Sequence, residues 1–350
     1  MTSIAVVVAW ALAAPAVADS EVLPPDATPA LRTCEAEIQS GDLSGAVASC
    51  TKVLDSGQAS DEEKVWAYGY RGLADFLLTD ADRALDDFNH LIELRPKYAN
   101  GYNGRAMAQL LKKDYADAIQ DLNKALELDP GYAEAYRNRA SLYLITKDPA
   151  RARPDLDKAI ELAPDVAEPY LHRGDLFLTA GDFESAIHDY DQVIRLQPQK
   201  WDAERPKALA QFFEAKYSDA AVTLNDYLGK QKKIDAYDVL ILYIADQHAA
   251  LNTTGQLDWL SARLPGQKWP APLIGFFQGH GSEDDVLKAA ADAEAHGMPN
   301  QVCFARFFFG QLALLDENVS EARHWLELTV KNCPADSTPY MGARAQLGRM

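Results

Sequence analysis

The chain is short of positive charge, of clustered histidine and of cysteine, and each shortage closes off a class of function. Lys and Arg number 34 against 52 Asp and Glu, a formal net charge of −18. Neutralising phosphates takes clustered Lys and Arg, so this balance argues against nucleic acid as a partner and against docking on anionic lipid. The acidity reads as solubility or, alternatively, as steering of a basic partner. The seven His are scattered; His90, His188 and His324 fall on predicted second helices of different repeats, and His280 sits between Gly279 and Gly281. No convergent ligand set is visible, so neither a metal nor a cofactor is expected. The chain contains no G-x-S-x-G, H-E-x-x-H, phosphate-binding loop or dinucleotide fingerprint, and it is expected to be non-enzymatic. Acidic pairs such as Glu62-Glu63 and Asp86-Asp87 read as solvated helix faces rather than as acid–base machinery. The four Cys include no C-x-x-C pair, which leaves zinc binding and thioredoxin-like exchange unsupported.

Long apolar runs are also lacking. The stretch at residues 4–13 (I-A-V-V-V-A-W-A-L-A) is about ten residues long, too short to span a bilayer as a permanent helix. Ala14-Pro15-Ala16-Val17-Ala18 follows it and ends in an A-x-A pattern. A short apolar segment followed by small residues is the pattern of a secretory signal. No Lys or Arg precedes the run, and no Cys follows it as a lipid-anchor site. The expectation is a signal peptide over 1–18, a linker over 19–30, and a periplasmic or secreted product with no membrane span.

What is abundant is periodicity. Pro96, Pro130, Pro164 and Pro198 recur every 34 residues, as do Ala84, Ala118, Ala152, Ala186 and Ala220. With Ala84 as position 20 of its repeat, position 8 holds Gly72, Ala106, Ala140, Gly174 and Ala208, and position 24 holds Phe88, Leu122, Leu156, Tyr190 and Leu224. Position 27 holds Leu91, Ala125, Ala159, Val193 and Tyr227. Small residues at 8 and 20 let two helices approach closely, and the large residue at 24 fills the gap between them. Position 16 is Asp80, Asp114, Asp148 and Asp182, each able to cap a second helix. Pro149 fits the first helical position, and the recurrent Pro stops each second helix. These signature sites make residues 65–232 resemble tetratricopeptide-repeat proteins. The resemblance implies an all-α solenoid of helix hairpins, a right-handed superhelix in which hairpins stack because none buries its apolar face alone.

An earlier hairpin fits the same frame with Ala46 at position 20. The expected organisation is an array of about six hairpins over 31–232, degenerate helical pairs over 233–300, and a terminal repeat with a capping helix over 301–350. Ser282 with Asp285 reads as a helix-capping start. The cysteines also fall into the frame: Cys34 and Cys50 take positions 8 and 24, Cys303 and Cys333 positions 1 and 31. Partners across an antiparallel hairpin that turns near position 16 sum to about 32, so disulfides Cys34–Cys50 and Cys303–Cys333 are expected in an oxidising compartment. The alternative is four buried thiols.

In the resembling proteins the first helices line a concave groove through positions 2, 5, 9, 12 and 13. Carried over, the candidate partner-binding residues are Trp66, Leu73, Phe76, Asn103, Met107, Arg137, Ser141, Leu171, Asp175, Arg205, Leu209 and Phe212. Such a mixture of aromatic, Met, Asn and Arg side chains suits recognition of a peptide or loop; the alternative is that several pack against the neighbouring repeat. A carboxylate-clamp groove is not expected, because Asn103, Met107, Asn138, Glu168 and His172 are the best match and Glu168 has the wrong charge. The C-terminal third, from Leu240 through Trp269-Pro270, Ser282 to Leu287, Phe308-Phe309-Gly310-Gln311 and Tyr340 to Leu347, is similar to the periplasmic adaptor family called new lipoprotein I. That resemblance implies a homodimer that binds cell-wall hydrolases and a periplasmic protease. The sequence thus points to an exported adaptor or scaffold of the cell envelope. The alternative is a holdase-type periplasmic chaperone.

Overall fold

A computed structural model describes residue 23 and residues 27–199, 203–251, 255–261 and 269–350. The signal-peptide reading at 1–18 lies outside the described residues. Those described are all-helical, without strands, and the chain divides into two compact units, 1–169 and 170–350.

The first unit stacks four hairpins: α1 (Pro29–Ser40) with α2 (Leu43–Asp55), α3 (Asp61–Leu77) with α4 (Ala81–Leu94), α5 (Ala99–Lys112) with α6 (Tyr115–Leu128), and α7 (Ala133–Ile145) with α8 (Pro149–Leu162). Helix α9 (Ala167–Ala180) begins at the boundary. The second unit continues with α10 (Phe183–Leu196), α11 (Glu204–Phe213), α12 (Tyr217–Lys230) and α13 (Ala236–His248). Short helices α14 (Gln256–Ser261) and α15 (Ala271–Phe277) lead to α16 (Glu283–Ala295), α17 (Gln301–Leu315), α18 (Val319–Asn332) and α19 (Thr338–Leu347).

The hairpins form for the reasons legible in the repeat. A Cβ added at Gly72 would stand 3.2 Å from Phe88, and one at Gly174 would stand 2.8 Å from Tyr190. The absent side chain at position 8 therefore admits the large residue at 24, and Phe88 and Tyr190 are fully enclosed. At position 16, Asp80, Asp148 and Asp182 each accept the backbone N–H three residues on. Asp114 makes no such bond, a correction to the expected set of four caps. Ser282 and Asp285 form the expected capping box. Each turn passes through a left-handed residue at position 15, which is Gly41 or Gly181 in two hairpins but Thr79, Lys113 and Lys147 in others.

A second repeating feature holds neighbouring elements in register. Arg71, Arg105, Arg139 and Arg173, all at position 7, each donate two hydrogen bonds to the Asp at position 23 of the same hairpin, respectively Asp87, Asp121, Asp155 and Asp189, at 2.7–2.9 Å. A third guanidinium nitrogen reaches the preceding hairpin: Arg71 to Thr51, Arg105 to Asn89, Arg139 to Asn123. Each guanidinium also lies over the Tyr at position 4 (Tyr68, Tyr102, Tyr136, Tyr170), 5.6–5.8 Å from the ring centre. Asp87 is 1% exposed; burial pushes its carboxyl up while the Arg71 pair pulls it down. This corrects the reading of Asp86-Asp87 as a solvated face. Glu63 is likewise enclosed, and its carboxylate closes the capping box on Ser60. The ladder changes chemistry at the ends. In the first hairpin, where Thr33 and Ser49 occupy positions 7 and 23, Cys34 and Cys50 lie at disulfide distance with Cα atoms 5.4 Å apart. In the last, positions 7 and 23 are Phe309 and Trp325, with ring centres 5.0 Å apart. Cys303 and Cys333 also lie at disulfide distance, with Cα atoms 5.8 Å apart.

The degenerate stretch is tied in by aromatic rings. Tyr237 of α13 stacks on Phe304 of α17 at 4.0 Å, and Phe277 and Phe276 of α15 meet Phe308 and Phe309 edge-on at 6.0 and 5.0 Å. Rings substitute here for the missing 34-residue signature, and α13 packs directly on α17 as well as on α14.

One buried charge is poorly served. Asp75 on α3 is 1% exposed, neither carboxylate oxygen has a hydrogen bond, and Arg83 Nε is 3.4 Å away. Burial, opposed by Arg83 and reinforced by Asp87 and Asp80, pushes its carboxyl up to about 6. A raised folded-state value means that the folded chain holds this proton more tightly than the unfolded one. Its ionisation therefore lowers stability progressively between about pH 4 and pH 6, and the deficit persists above. Asp75→Asn should raise stability by about 1–2 kcal/mol at about pH 7.5 and by little at about pH 3.5. Urea unfolding at the two pH values checks this, and equal effects at both would refute it.

Candidate functional site

The sequence places its candidate residues on the first helices, and the structure shows how far those helices close up. In the first unit Trp66, Leu73, Phe76 and Met107 are buried, at 4%, 5%, 2% and 7% exposure. Leu73, Phe76 and Met107 join the core that runs from α3 to α7. Trp66 joins Leu31, Cys34, Cys50 and Tyr70 in the core of the first hairpins. The reason is local: α1 and α5 both touch α3 directly, so apolar side chains on its inner face meet a neighbouring first helix.

The polar candidates of this unit form a connected strip. Asn138 Nδ2 donates to Asn103 Oδ1 at 2.9 Å, and Asn103 Nδ2 donates to the Tyr132 hydroxyl at 3.2 Å. Asn100 donates to the Tyr98 hydroxyl at 3.3 Å. Burial raises the Tyr132 phenol well above its ordinary value, so it stays a neutral hydroxyl. Beside the strip, Arg137 on α7 is 6% exposed and lies between Glu134 and Glu168, at 3.5 and 3.4 Å. Its Nη2 is enclosed and is met by Glu134 Oε1 only as an ion pair at 3.5 Å, without a hydrogen bond. Ser141 Oγ donates to the Arg137 carbonyl one turn back. Glu168, the residue that argues against a carboxylate clamp, is thus the counter-ion of Arg137. Tyr98 and Tyr132 lie just before their first helices, and sequence reasoning passed over them; their own 34-residue spacing is the signal that marks them.

In the second unit the candidates separate. Leu171 is half-buried. Asp175 is exposed and accepts the Tyr190 hydroxyl at 2.8 Å. Arg205 pairs with the buried Asp238 at 2.8 Å, fastening α11 to α13. Leu209 and Phe212 are buried, at 3% and 0% exposure. Here the first helices α11 and α17 are both covered by α19, which packs against each of them. Beside α19 runs a cleft of about 330 Å³ lined by Leu178, Phe183, Glu214, Met341 and Arg344.

Among the described residues no group of three or more His, Cys, Asp or Glu could hold a metal ion, and no helix is long and apolar enough to cross a membrane. The arrangement presents hydrogen-bonding side chains on the first-helix face.

Three tetratricopeptide-repeat family models match the chain, at residues 99–132, 122–153 and 171–232, so the chain carries tetratricopeptide repeats. A search of curated proteins returned no match. Solved structures that resemble it include a tetratricopeptide repeat protein from Parabacteroides merdae, with 15% identity over 84% of this chain and 97% of that one and a TM-score of 0.46. The Pseudomonas aeruginosa protein pilF gives 19% identity, 59% and 95% coverage and a TM-score of 0.49. YrrB, described as a TPR protein with an unusual peptide-binding site, gives 19%, 52% and 92%, and 0.44.

Proposed function

We propose that this chain is an exported, non-enzymatic scaffold that binds an extended segment of a partner protein on the first-helix face of its first unit. The observation that carries this reading is the strip Asn103–Asn138–Tyr132 with Arg137 beside it. Asn103, Asn138 and Arg137 put polar groups at 0%, 7% and 6% exposure where Leu73, Phe76 and Met107 supply apolar packing in the same unit. Arg137 Nη2 is met only by a 3.5 Å ion pair with Glu134, without a hydrogen bond, so its desolvation is incompletely repaid. A peptide carbonyl or side-chain oxygen laid on that face would give Arg137 a closer acceptor than Glu134 once the side chain turns toward it. The export reading rests on residues 4–18. The envelope partner class, cell-wall hydrolases or a periplasmic protease, rests on the likeness of residues 240–347 to the adaptor family.

The test is crosslinking capture from periplasmic extract by the mature chain, read by mass spectrometry, with Arg137→Glu and Asn138→Ala as controls. A small, reproducible partner set is expected, reduced at least about tenfold for Arg137→Glu while its helical content is retained, as for reversal of an interface charge. Capture unchanged by either substitution would overturn the assignment to this face. A broad catch of unfolded envelope chains would replace the scaffold with a holdase.

A further inference from the structure

We infer that α19 is a displaceable occupant of the first-helix face of the second unit, so that this face is closed in the free protein and opens to a partner helix that, like α19, seats a small residue on Phe213 and Phe307 and a side-chain amide on Tyr217. Several independent observations bear on this.

The first is position. α19 follows α18 after only residues 333–337, yet it reaches elements more than a hundred residues earlier in the chain. Gln346 Nε2 donates to the Tyr217 hydroxyl at 3.1 Å, and Arg349 donates to the Phe213 carbonyl. A Cβ on Gly342 would stand 2.6 Å from Phe307 and 2.7 Å from Phe213, so the helix axis lies close against both α11 and α17. The face beneath it is the equivalent of the one that carries the polar strip in the first unit.

The second is the quality of the contact. α19 has ten residues, a length at which a helix is marginal in water and persists only while docked. Its buried residues are Pro339, Met341, Gly342, Ala343 and Gln346, of which Met341 is the one large apolar side chain. Beside the Gly342 contact with Phe213 and Phe307, the seam carries polar groups that are incompletely satisfied. Gln346 Nε2 is divided between the Tyr217 hydroxyl and Gln311 Oε1, at 3.1 and 3.2 Å, while Gln311 Nε2 and His248 Nε2 are both enclosed without a hydrogen bond. His248 stacks on Tyr217 at 4.3 Å, and burial, helped by the Arg349 charge, holds its pKa down. A contact built for permanence would satisfy these groups or replace them with apolar ones.

The third is the tether. Cys333 caps α18 and lies at disulfide distance from Cys303 at the start of α17. Undocking α19 therefore leaves α17 and α18 pinned together, and the released helix stays within reach of its seat. The cleft along its flank, floored by Leu178, Phe183 and Met341, gives an incoming helix a place to begin.

Hydrogen exchange of the full mature chain decides the matter. Amides of α19 are expected to exchange at least about tenfold faster than those of α17, through an opening confined to residues 334–350. Exchange of α19 at the rate of α17 would mean that it opens only with the whole unit, and the inference would fail. A labelled peptide of residues 336–350 supplies the second measurement. It should bind Gly342→Leu, whose own helix cannot reseat, at least about tenfold more tightly than the wild-type chain. Equal binding to both, or to neither, contradicts an openable seat.

Discussion

Asp87→Ala lowers the stability of the first unit by about 2–4 kcal/mol, because it strips the Arg71 guanidinium of its bidentate partner inside the stack. Arg71 is 18% exposed at its side chain and Asp87 is 2% exposed, so water reaches the survivor too little to replace the carboxylate. The damage extends beyond one pair, since the same guanidinium also holds Thr51 of the preceding hairpin at 3.0 Å. The ladder makes a second, less obvious prediction: Arg71→Met combined with Asp87→Leu should cost less than Asp87→Ala alone, because no charge is then left buried. Chemical denaturation of the three proteins tests both statements. An Asp87→Ala loss under about 0.5 kcal/mol would mean that the pair behaves like a surface bridge.

Cys34→Ala with Cys50→Ala should be of comparable size, about 3 kcal/mol, from loop closure alone. The cysteines are 16 residues apart in sequence, and both are fully buried. Their hairpin carries Thr33 and Ser49 where later hairpins carry the Arg–Asp pair, so a sulfur bridge would take the place of that pair across the gap. The loss should therefore be local: faster hydrogen exchange over α1 and α2, with α5 to α8 little changed. If the double substitution and the reducing agent dithiothreitol both leave α1 and α2 as protected as before, the hairpin is held by its apolar contacts alone.

How much of this was legible follows from the kind of information each feature uses. The hairpins were readable because Gly72 and Phe88, or Gly174 and Tyr190, meet at fixed sequence offsets. The cysteine pairs at disulfide distance were readable for the same reason. The Tyr–Arg–Asp ladder is equally periodic, and attention to small and apolar positions passed over it. The candidate groove was less accessible to periodicity. The repeat names the inner positions, but the spacing between neighbouring first helices decides whether Phe76 or Asn103 meets solvent, and that spacing is set by packing. Contacts such as Gln346 with Tyr217 and Gly342 with Phe213 lie outside any 34-residue rule, because α19 returns to a helix it does not follow. The aromatic cluster around Phe304, Phe308 and Tyr237 replaces the signature with ring packing and leaves only an apolar run to read.

The ladder makes the scaffold interchangeable where the inner face is not. Excising residues 99–132 would join Tyr98 to Ala133 in the place of Tyr132, and Arg139 would meet Asn89 instead of Asn123, the same side chain at the same repeat position. Every rung would find its counterpart. Asn138 would instead face Gly69 where Asn103 had been, and the strip would lose its central bond. A shortened array of this kind would keep its architecture and lose the strip, which separates the residues that any repeat could supply from those that one position alone provides.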